Sequence, residues 1–246
     1  AGGSGSDTLN ANAGVNSLNV ASDGITTLDT GLTVSGFEKI NLGANSDASA
    51  DTATISGSFS GTVDLGDGND TATINNGGSV TSLAGGAGSG DVLNLDGANQ
   101  TITVTGTGNG TTLGSSGGTT TFSGFETVNG LAGDDGFTVN SVTSTTISLA
   151  GGNGTDSLSV GSDTAANSLT INGAGSGSLG SVTFSGMESI ALGSGNDTSM
   201  VSSGGSLSGS LNLGDGTNSL TLSSSGTIGS VTGGTGSDTV TITAGS

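Results

Sequence analysis

Apolar residues alternate with small polar residues in short stretches that recur along the chain. The second and fourth residues after a turn Asp or Asn are apolar almost every time, with Thr, Ser or Asn between them. The pairs are Leu9/Ala11, Ala53/Ile55, Ala72/Ile74, Leu93/Leu95, Phe137/Val139, Leu158/Val160, Leu220/Leu222 and Val240/Ile242, and Ser199/Val201 is the exception. A period of two is typical of a half-buried β-strand. We therefore predict a strand directly after each of these turns.

Further apolar positions lie before the turns. The pairs Val63/Leu65, Ile190/Leu192 and Leu211/Leu213 stand seven and five residues ahead of the turn Asp or Asn. Ile40/Leu42 have the same relation to Asp47 but not to Asp51, which predicts a four-residue insertion in that turn. A third, single apolar position recurs as Phe59, Val80, Leu207 and Ile228. Together these positions predict three short strands per repeat, joined by Gly- and Ser-rich corners.

The turn residues recur about every 20 residues. The intervals are 19 and 21 across Asp51, Asp70 and Asp91, and 21 and 20 across Asp197, Asn218 and Asp238. Three longer intervals of 44, 44 and 41 residues correspond to about two periods each. Such a repeat cannot bury its own apolar side chains, whereas stacked repeats form a continuous core. We predict an all-β fold: one continuous parallel β-solenoid over residues 1–246, with about a dozen coils of roughly 20 residues. Both ends of the sequence interrupt the pattern, so we expect uncapped ends.

The composition restricts the function more than it identifies it. The 246 residues include 51 Gly and no Cys, Pro, His, Trp or Tyr, and Lys39 is the only basic residue against 20 carboxylates, for a net charge of -19. Nucleic acid is not expected as a partner, because its binding depends on Lys and Arg. No apolar run reaches the ~20 residues of a membrane helix, so no membrane insertion is expected.

Catalysis has little support in this sequence. A nucleophilic triad lacks its His, and a zinc site lacks both His and Cys. The acidic pairs Asp67/Asp70 and Asp134/Asp135 leave a polysaccharide-active β-helix enzyme as an alternative. An ice-binding solenoid is another alternative, although the residues between the turn glycines do not form a uniform Thr row. We expect that the protein is not an enzyme.

Several turns resemble known repeats. The sequences GSGSDTLNA, GDGNDTATI, GNGTDSLSV, GSGNDTSMV and GTGSDTVTI resemble the calcium-binding glycine- and aspartate-rich repeats of RTX-type secreted proteins. The stretches SGTVDLGDGNDTATINNGGSV and SGSLNLGDGTNSLTLSSSGTIGSVTGGTGSDTV are similar to β-helical passenger regions of autotransporter adhesins. This chain has one acidic turn per roughly 20 residues, whereas RTX repeats have one every nine. The resemblance implies a bacterial surface or secreted protein that binds Ca²⁺.

The acidic turns have two interpretations. Calcium takes six to eight oxygen ligands, which stacked turns with carboxylates and Gly carbonyls could supply. The candidate ligands are Asp7, Asp67, Asp70, Asp134, Asp135, Asp156, Asp197 and Asp238. Alternatively, Asp and Asn occupy these corners because their side chains cap turns. Glu38, Glu126 and Glu188, each in an SGFE or SGME segment, are interpreted as register or cap positions, with a ligand role as the alternative.

A structural role remains after these exclusions. We expect an extracellular or cell-surface rod, such as a fibre, surface-layer or adhesin segment, that associates with its own copies end to end. The alternative is a monomeric adhesive passenger segment of a larger secreted protein, with a surface glycan or host receptor as a possible partner.

Overall fold

The computed structural model describes residues 1–11, 14–22, 26–29, 31–43, 48–75, 77–114 and 117–243. Within these ranges the regular secondary structure is entirely β-strand. None of the described residues belongs to a helix that could cross a membrane. The four-residue insertion was predicted near Asp47, and residues 44–47 lie outside the described residues. The chain divides into two compact units, Ala1–Gln100 with Thr107–Leu131 and Thr101–Gly106 with Ala132–Ser246.

The first unit contains two mostly parallel sheets. Its strands are β1 (Thr8–Asn10), β2 (Ser17–Val20), β3 (Thr26–Leu28), β4 (Leu32–Val34), β5 (Lys39–Asn41), β6 (Thr52–Ile55), β7 (Ser58–Asp64), β8 (Thr71–Ile74), β9 (Ser79–Ala84), β10 (Val92–Asn94), β12 (Asn109–Leu113), β13 (Thr119–Ser123) and β14 (Thr127–Ala132). The first sheet has the order β1-β5-β7-β9-β13-β12, and the second has the order β14-β10-β8-β6-β2-β3-β4. From β5 to β10 the chain alternates between the two sheets.

The second unit repeats this arrangement. Its strands are β11 (Thr101–Gly106), β15 (Gly136–Val139), β16 (Ile147–Asn153), β17 (Ser157–Ser159), β18 (Ser168–Gly173), β19 (Ser176–Leu179), β20 (Val182–Ser185), β21 (Ser189–Ala191), β22 (Thr198–Val201), β23 (Ser206–Asn212), β24 (Ser219–Ser223), β25 (Thr227–Thr232) and β26 (Thr239–Thr243). One sheet has the order β11-β15-β17-β21-β23-β25, and the other has the order β26-β24-β22-β18-β19-β20-β16. From β21 to β26 the chain again alternates between the sheets.

The repeated sequence DTATI forms the same strand twice. In β6 and β8, Ala53 pairs with Ala72 and Ile55 pairs with Ile74, in parallel and without a register shift. These apolar side chains are buried, whereas the intervening Thr side chains face the other side of the sheet. A strand with one buried face requires this register, because a slip of one residue would turn every apolar side chain to solvent. The predicted period of two is therefore confirmed here.

Most of the predicted core is buried in both units, although Leu9, Phe59, Leu222 and Ile228 are only half-buried. The side chains of Leu65, Leu93, Val139 and Leu220 are fully buried. In β26, by contrast, Val240 and Ile242 are 52% and 70% exposed. Strand β26 is last in the strand order of its sheet and follows β24, so one of its two edges has no neighbouring strand among the described residues.

The number of strands per repeat differs from the prediction. Where three short strands were expected, β7, β9, β23 and β25 each contain two of the three predicted apolar positions in one strand. The pairing between β7 and β9 shifts register between Phe59 and Thr62, and that between β23 and β25 shifts between Leu207 and Ser210. A bulge of this kind bends a strand without ending it, so a corner predicted from Gly and Ser becomes a bend within one strand.

The three longer intervals contain antiparallel strands. Strands β2, β3 and β4 pair antiparallel in the first unit, as do β12 and β13. Strands β18, β19 and β20 do the same in the second unit. Each set ends at or just before a segment SGFE or SGME. In each long interval, antiparallel strands therefore replace part of the two parallel coils that were expected. We call these antiparallel segments excursions.

Candidate functional site

The turn residues stand immediately before strands and stack in four columns. We call these residues rungs. In the first unit the rungs of the first sheet are Asp7 and Glu38, and those of the second sheet are Asn16, Asp51, Asp70, Asp91 and Glu126. In the second unit the rungs are Asp135, Asp156 and Glu188 in one sheet and Asn167, Asp197, Asn218 and Asp238 in the other. Each column follows the hydrogen-bonding direction of its sheet.

Each rung after the first of its column binds the backbone of the preceding rung through its side chain. In the first unit Oδ1 of Asp70 accepts the Asp51 N–H at 2.7 Å, and Oδ1 of Asp91 accepts the Asp70 N–H at 2.7 Å. The backbone continues the pattern, because the N–H of Thr71 donates to the Asp51 carbonyl at 3.0 Å. The side chain thus satisfies a buried N–H just where the strand ladder begins.

The second unit has the same contacts. Oδ1 of Asp156 accepts the Asp135 N–H at 2.8 Å. In the other column, Oδ1 of Asp197 accepts the Asn167 N–H at 2.7 Å, and Oδ1 of Asn218 accepts the Asp197 N–H at 2.8 Å. A carboxamide oxygen therefore occupies the same place as a carboxylate oxygen.

Glutamate rungs follow the antiparallel excursions. Oε2 of Glu126 accepts the Asp91 N–H at 2.8 Å, and the Glu126 and Thr127 N–H groups both donate to the Asp91 carbonyl. Glu38 and Glu188 make the equivalent contacts with Asp7 and Asp156. Two successive N–H groups on one carbonyl displace the backbone as a bulge does. The additional methylene of Glu spans this displacement, which accounts for Glu in place of Asp.

The glycine of SGFE and SGME sets the approach to the Glu rung. Gly36, Gly124 and Gly186 have φ values of 72°, 69° and 66°, a left-handed conformation that favours glycine. A Cβ on Gly124 would also lie 2.8 Å from the Gly86 nitrogen, closer than a real Cβ approaches. The glycine therefore has the same left-handed conformation in all three segments.

Most rungs are buried. Asp51, Asp70, Asp91, Asp135, Asp156 and Asp197 are all nearly inaccessible, whereas Asp7 is half-buried and Asp238 is exposed. Burial raises the pKa of Asp91 and of Asp156 above the ordinary value, although the backbone N–H that each accepts lowers it. Burial raises the pKa of Asp197 in the same way.

The remaining two candidate ligands lie outside the columns. Oδ1 of Asp134 accepts the Thr155 N–H at 2.8 Å, and Asp134 is exposed. Asp67 is half-buried beside an open groove that Gly68 and Ser89 also line. The structure therefore separates the members of the predicted acidic pairs, since Asp70 and Asp135 belong to the columns and Asp67 and Asp134 do not.

Backbone hydrogen bonds to the rungs weigh against a row of calcium ligands. A calcium site needs six to eight oxygens around one ion. One oxygen of Asp70, Asp156 or Asp197 already accepts a backbone N–H, and the groups are buried. Within the described ranges, no three acidic side chains come together in a group that could hold a metal ion. The geometry supports the turn-cap interpretation, and calcium binding stays a prediction.

Sequence reasoning missed some rungs. Asn16 and Asn167 begin the columns of the second sheet in each unit, and neither was predicted as a turn residue. The signal was present, because Asn-Ser-Leu occurs at Asn16, Asn167 and Asn218.

Comparison with known proteins found no matching family model, no matching curated protein and no matching solved structure.

Proposed function

We propose that this chain is an extracellular structural protein, a rod for a surface fibre, surface layer or adhesin, in which the repeats close into a parallel β-solenoid. The observation that carries this proposal is the set of rung columns. Every column ties successive repeats through a side chain that binds the neighbouring backbone. Such contacts support the stacking of successive repeats.

Closure into a solenoid is supported by the path of the chain. In each unit the chain passes from one sheet to the other and returns one strand further along, over several successive strands. Parallel strands require a crossover connection, and here the crossover is the strand of the opposite sheet. The apolar faces of both sheets are buried, as stacked repeats require.

Small-angle X-ray scattering of the purified chain tests the solenoid. Stacking at about 4.8 Å per repeat predicts an elongated particle whose length follows the number of repeats. Deleting one regular repeat, residues 198–218, should shorten the particle by about 5 Å and leave its cross-section unchanged. A change in cross-section with an unchanged length would contradict the proposal.

End-to-end association between copies is the partner that we propose. Val240 and Ile242 are exposed, although Leu220 at the equivalent position one repeat earlier is fully buried. The exposed edge of a strand presents unpaired backbone groups that can template a further strand. The net charge of -19 opposes lateral association, since the sides of two copies would repel each other.

The association is tested by two charge-matched variants. Ile242→Asp places a charge on the exposed apolar side of β26 and should keep the chain monomeric in light scattering. Thr241→Asp adds the same charge on the opposite side of the strand and should leave association intact. Equal melting temperatures confirm that both variants fold. A wild-type chain that stays monomeric at every concentration would favour the adhesive passenger segment.

A further inference from the structure

Asp91 and Asp156 are buried rungs with an oxygen that has no hydrogen-bond partner, and Asp197 is a third. In Asp91 and in Asp156, Oδ1 accepts the N–H of the preceding rung at 2.7 and 2.8 Å. The second oxygen, Oδ2, is buried in both residues, and no group of the described residues donates a hydrogen bond to it. A buried carboxylate oxygen without a donor is costly, and a protonated carboxyl group avoids that cost.

The asparagine rungs show which atoms face this position. Nδ2 of Asn218 donates to the Gly214 carbonyl at 3.1 Å, four residues back in the same turn, and to Oδ1 of Asp238 at 2.9 Å. Nδ2 of Asn167 donates to the carbonyls of Ala165 and Leu192, each at 3.1 Å. Wherever an amide occupies a rung, its second atom is a donor to backbone carbonyl oxygens. A carboxyl group reproduces that pattern only with a proton on Oδ2.

The charges around both rungs favour the same state. Asp91 lies between the acidic rungs Asp70 and Glu126. Asp156 lies between Asp135 and Glu188, and Asp134 also acts on it. The ion pair between Lys39 and Asp64, at 3.5 Å, places the only basic side chain of the chain elsewhere. Like charges without a cation favour the neutral form of one partner.

We propose that Asp91 and Asp156 take up a proton on Oδ2 within the folded columns, so that the chain becomes more stable when its surroundings become acidic. The protonated rung then accepts the N–H of one neighbour through Oδ1 and donates through Oδ2–H to a turn carbonyl. Protonation of these rungs therefore strengthens the hydrogen bonding between successive repeats. Asn218 accepts and donates in the same way with an amide group, which is neutral at every pH.

The direction of the pH effect follows from the raised pKa of both groups. An Asp whose folded pKa lies above its unfolded value binds protons more tightly when folded. Its contribution is complete below the unfolded pKa, about 3.9, and is lost as the pH rises through the folded pKa. The pKa shift of Asp215 has the opposite sign, because the Thr235 N–H that its carboxylate accepts lowers the pKa. The contribution of Asp215 is lost as the pH falls.

Thermal melting of three variants over a pH series tests the proposal. Asp91→Asn and Asp156→Asn should melt above the wild type at neutral pH, because each supplies the missing donor permanently. The difference should shrink towards zero as the pH falls and the wild-type rungs become protonated. Asp215→Asn is the matched control and should melt at or below the wild type at neutral pH.

A direct measurement keeps the test independent of folding in the variants. Carbon NMR of the side-chain carboxyl groups of the wild-type chain should show Asp91 and Asp156 titrating above an ordinary Asp. Titration of both groups at or below the ordinary value would overturn the proposal. So would Asn variants that melt below the wild type at neutral pH and keep the same deficit in acid.

Discussion

The two units contain comparable columns that differ in chemistry. In the second sheet of the first unit the inner rungs are three acids, Asp51, Asp70 and Asp91, whereas the corresponding column of the second unit has Asn218 after Asp197. The contacts are nevertheless equal, since Asn218 accepts its N–H at 2.8 Å and Asp70 accepts its N–H at 2.7 Å. The columns therefore need an oxygen acceptor at each rung and do not need a charge.

The largest effect is expected at the apolar positions that both columns share. Leu93 follows Asp91 by two residues, Leu220 follows Asn218 by two residues, and both side chains are fully buried. Leu93→Asp and Leu220→Asp should each cost about 4 kcal/mol or more, because they bury an unpaired charge. Chemical denaturation measures this loss. Thr221→Asp, on the half-buried opposite face, is the control, and an equal loss there would contradict the assignment of faces.

Removal of a rung should have the next largest effect. Asp70→Ala takes the acceptor from the Asp51 N–H, and Asn218→Ala takes it from the Asp197 N–H. Each change should lower the free energy of unfolding by about 1–3 kcal/mol, the cost of a buried donor without its partner. Similar losses in the two columns are expected from denaturant titrations. A much larger loss for Asp70 than for Asn218 would show that the charge itself contributes.

The length of the Glu rung should matter more than its charge. Glu126→Asp removes the methylene that spans the displaced backbone, so the Asp91 N–H loses its acceptor at a cost of about 1–2 kcal/mol. Glu126→Gln keeps the acceptor oxygen and should remain within about 0.5 kcal/mol of the wild type. Equal losses in the two variants would refute the geometric explanation of the SGFE segment.

A smaller, stabilising effect is expected at Leu131. This exposed residue has φ 75°, and the equivalent positions Gly66, Gly152, Gly193 and Gly214, each four residues before a rung, also have positive φ. A left-handed conformation costs a residue with a Cβ about 1–2 kcal/mol. Leu131→Gly should therefore raise the stability by up to about 1 kcal/mol after the loss of partial burial. A lower melting temperature would contradict this comparison.

The smallest effect is expected from calcium. Ligand binding to the folded state alone would raise the melting temperature with calcium concentration. Because one oxygen of each inner rung already binds a backbone N–H group and the rungs are buried, we expect equal melting curves in chelator and in millimolar calcium. A clear rise with calcium, together with bound metal in calorimetry, would support the calcium prediction from the sequence and assign the ion to other oxygens.

The local features of this fold could be predicted from the sequence, because their causes are local. Alternation around Asp70 gave the strand, its buried face and its register with the preceding DTATI. The antiparallel excursions could not be predicted in this way. Strands such as β3 and β13 alternate buried and more exposed residues as the parallel strands do, and the choice of partner depends on residues far along the chain.

The rungs were only half predictable. Gly-rich turns indicated the positions of Asp156 and Asp197. The sequence does not show whether a carboxylate in such a turn binds a metal ion or accepts a backbone N–H. The distinction depends on the neighbouring repeat, whose N–H lies 2.8 Å from Asp156. The role of Glu188 depends on a bulge that has no sequence signature apart from the SGME segment itself.

The position of Lys39 inside a paired strand has a consequence for digestion by proteases. An enzyme that cuts only after Lys or Arg has a single site in this chain, at Lys39. That residue lies in β5, which pairs with β1 on one side and β7 on the other. Cleavage requires an extended segment free of such pairing, so the site opens only when this part of the sheet opens. The folded chain should therefore resist cleavage by proteases of the trypsin class.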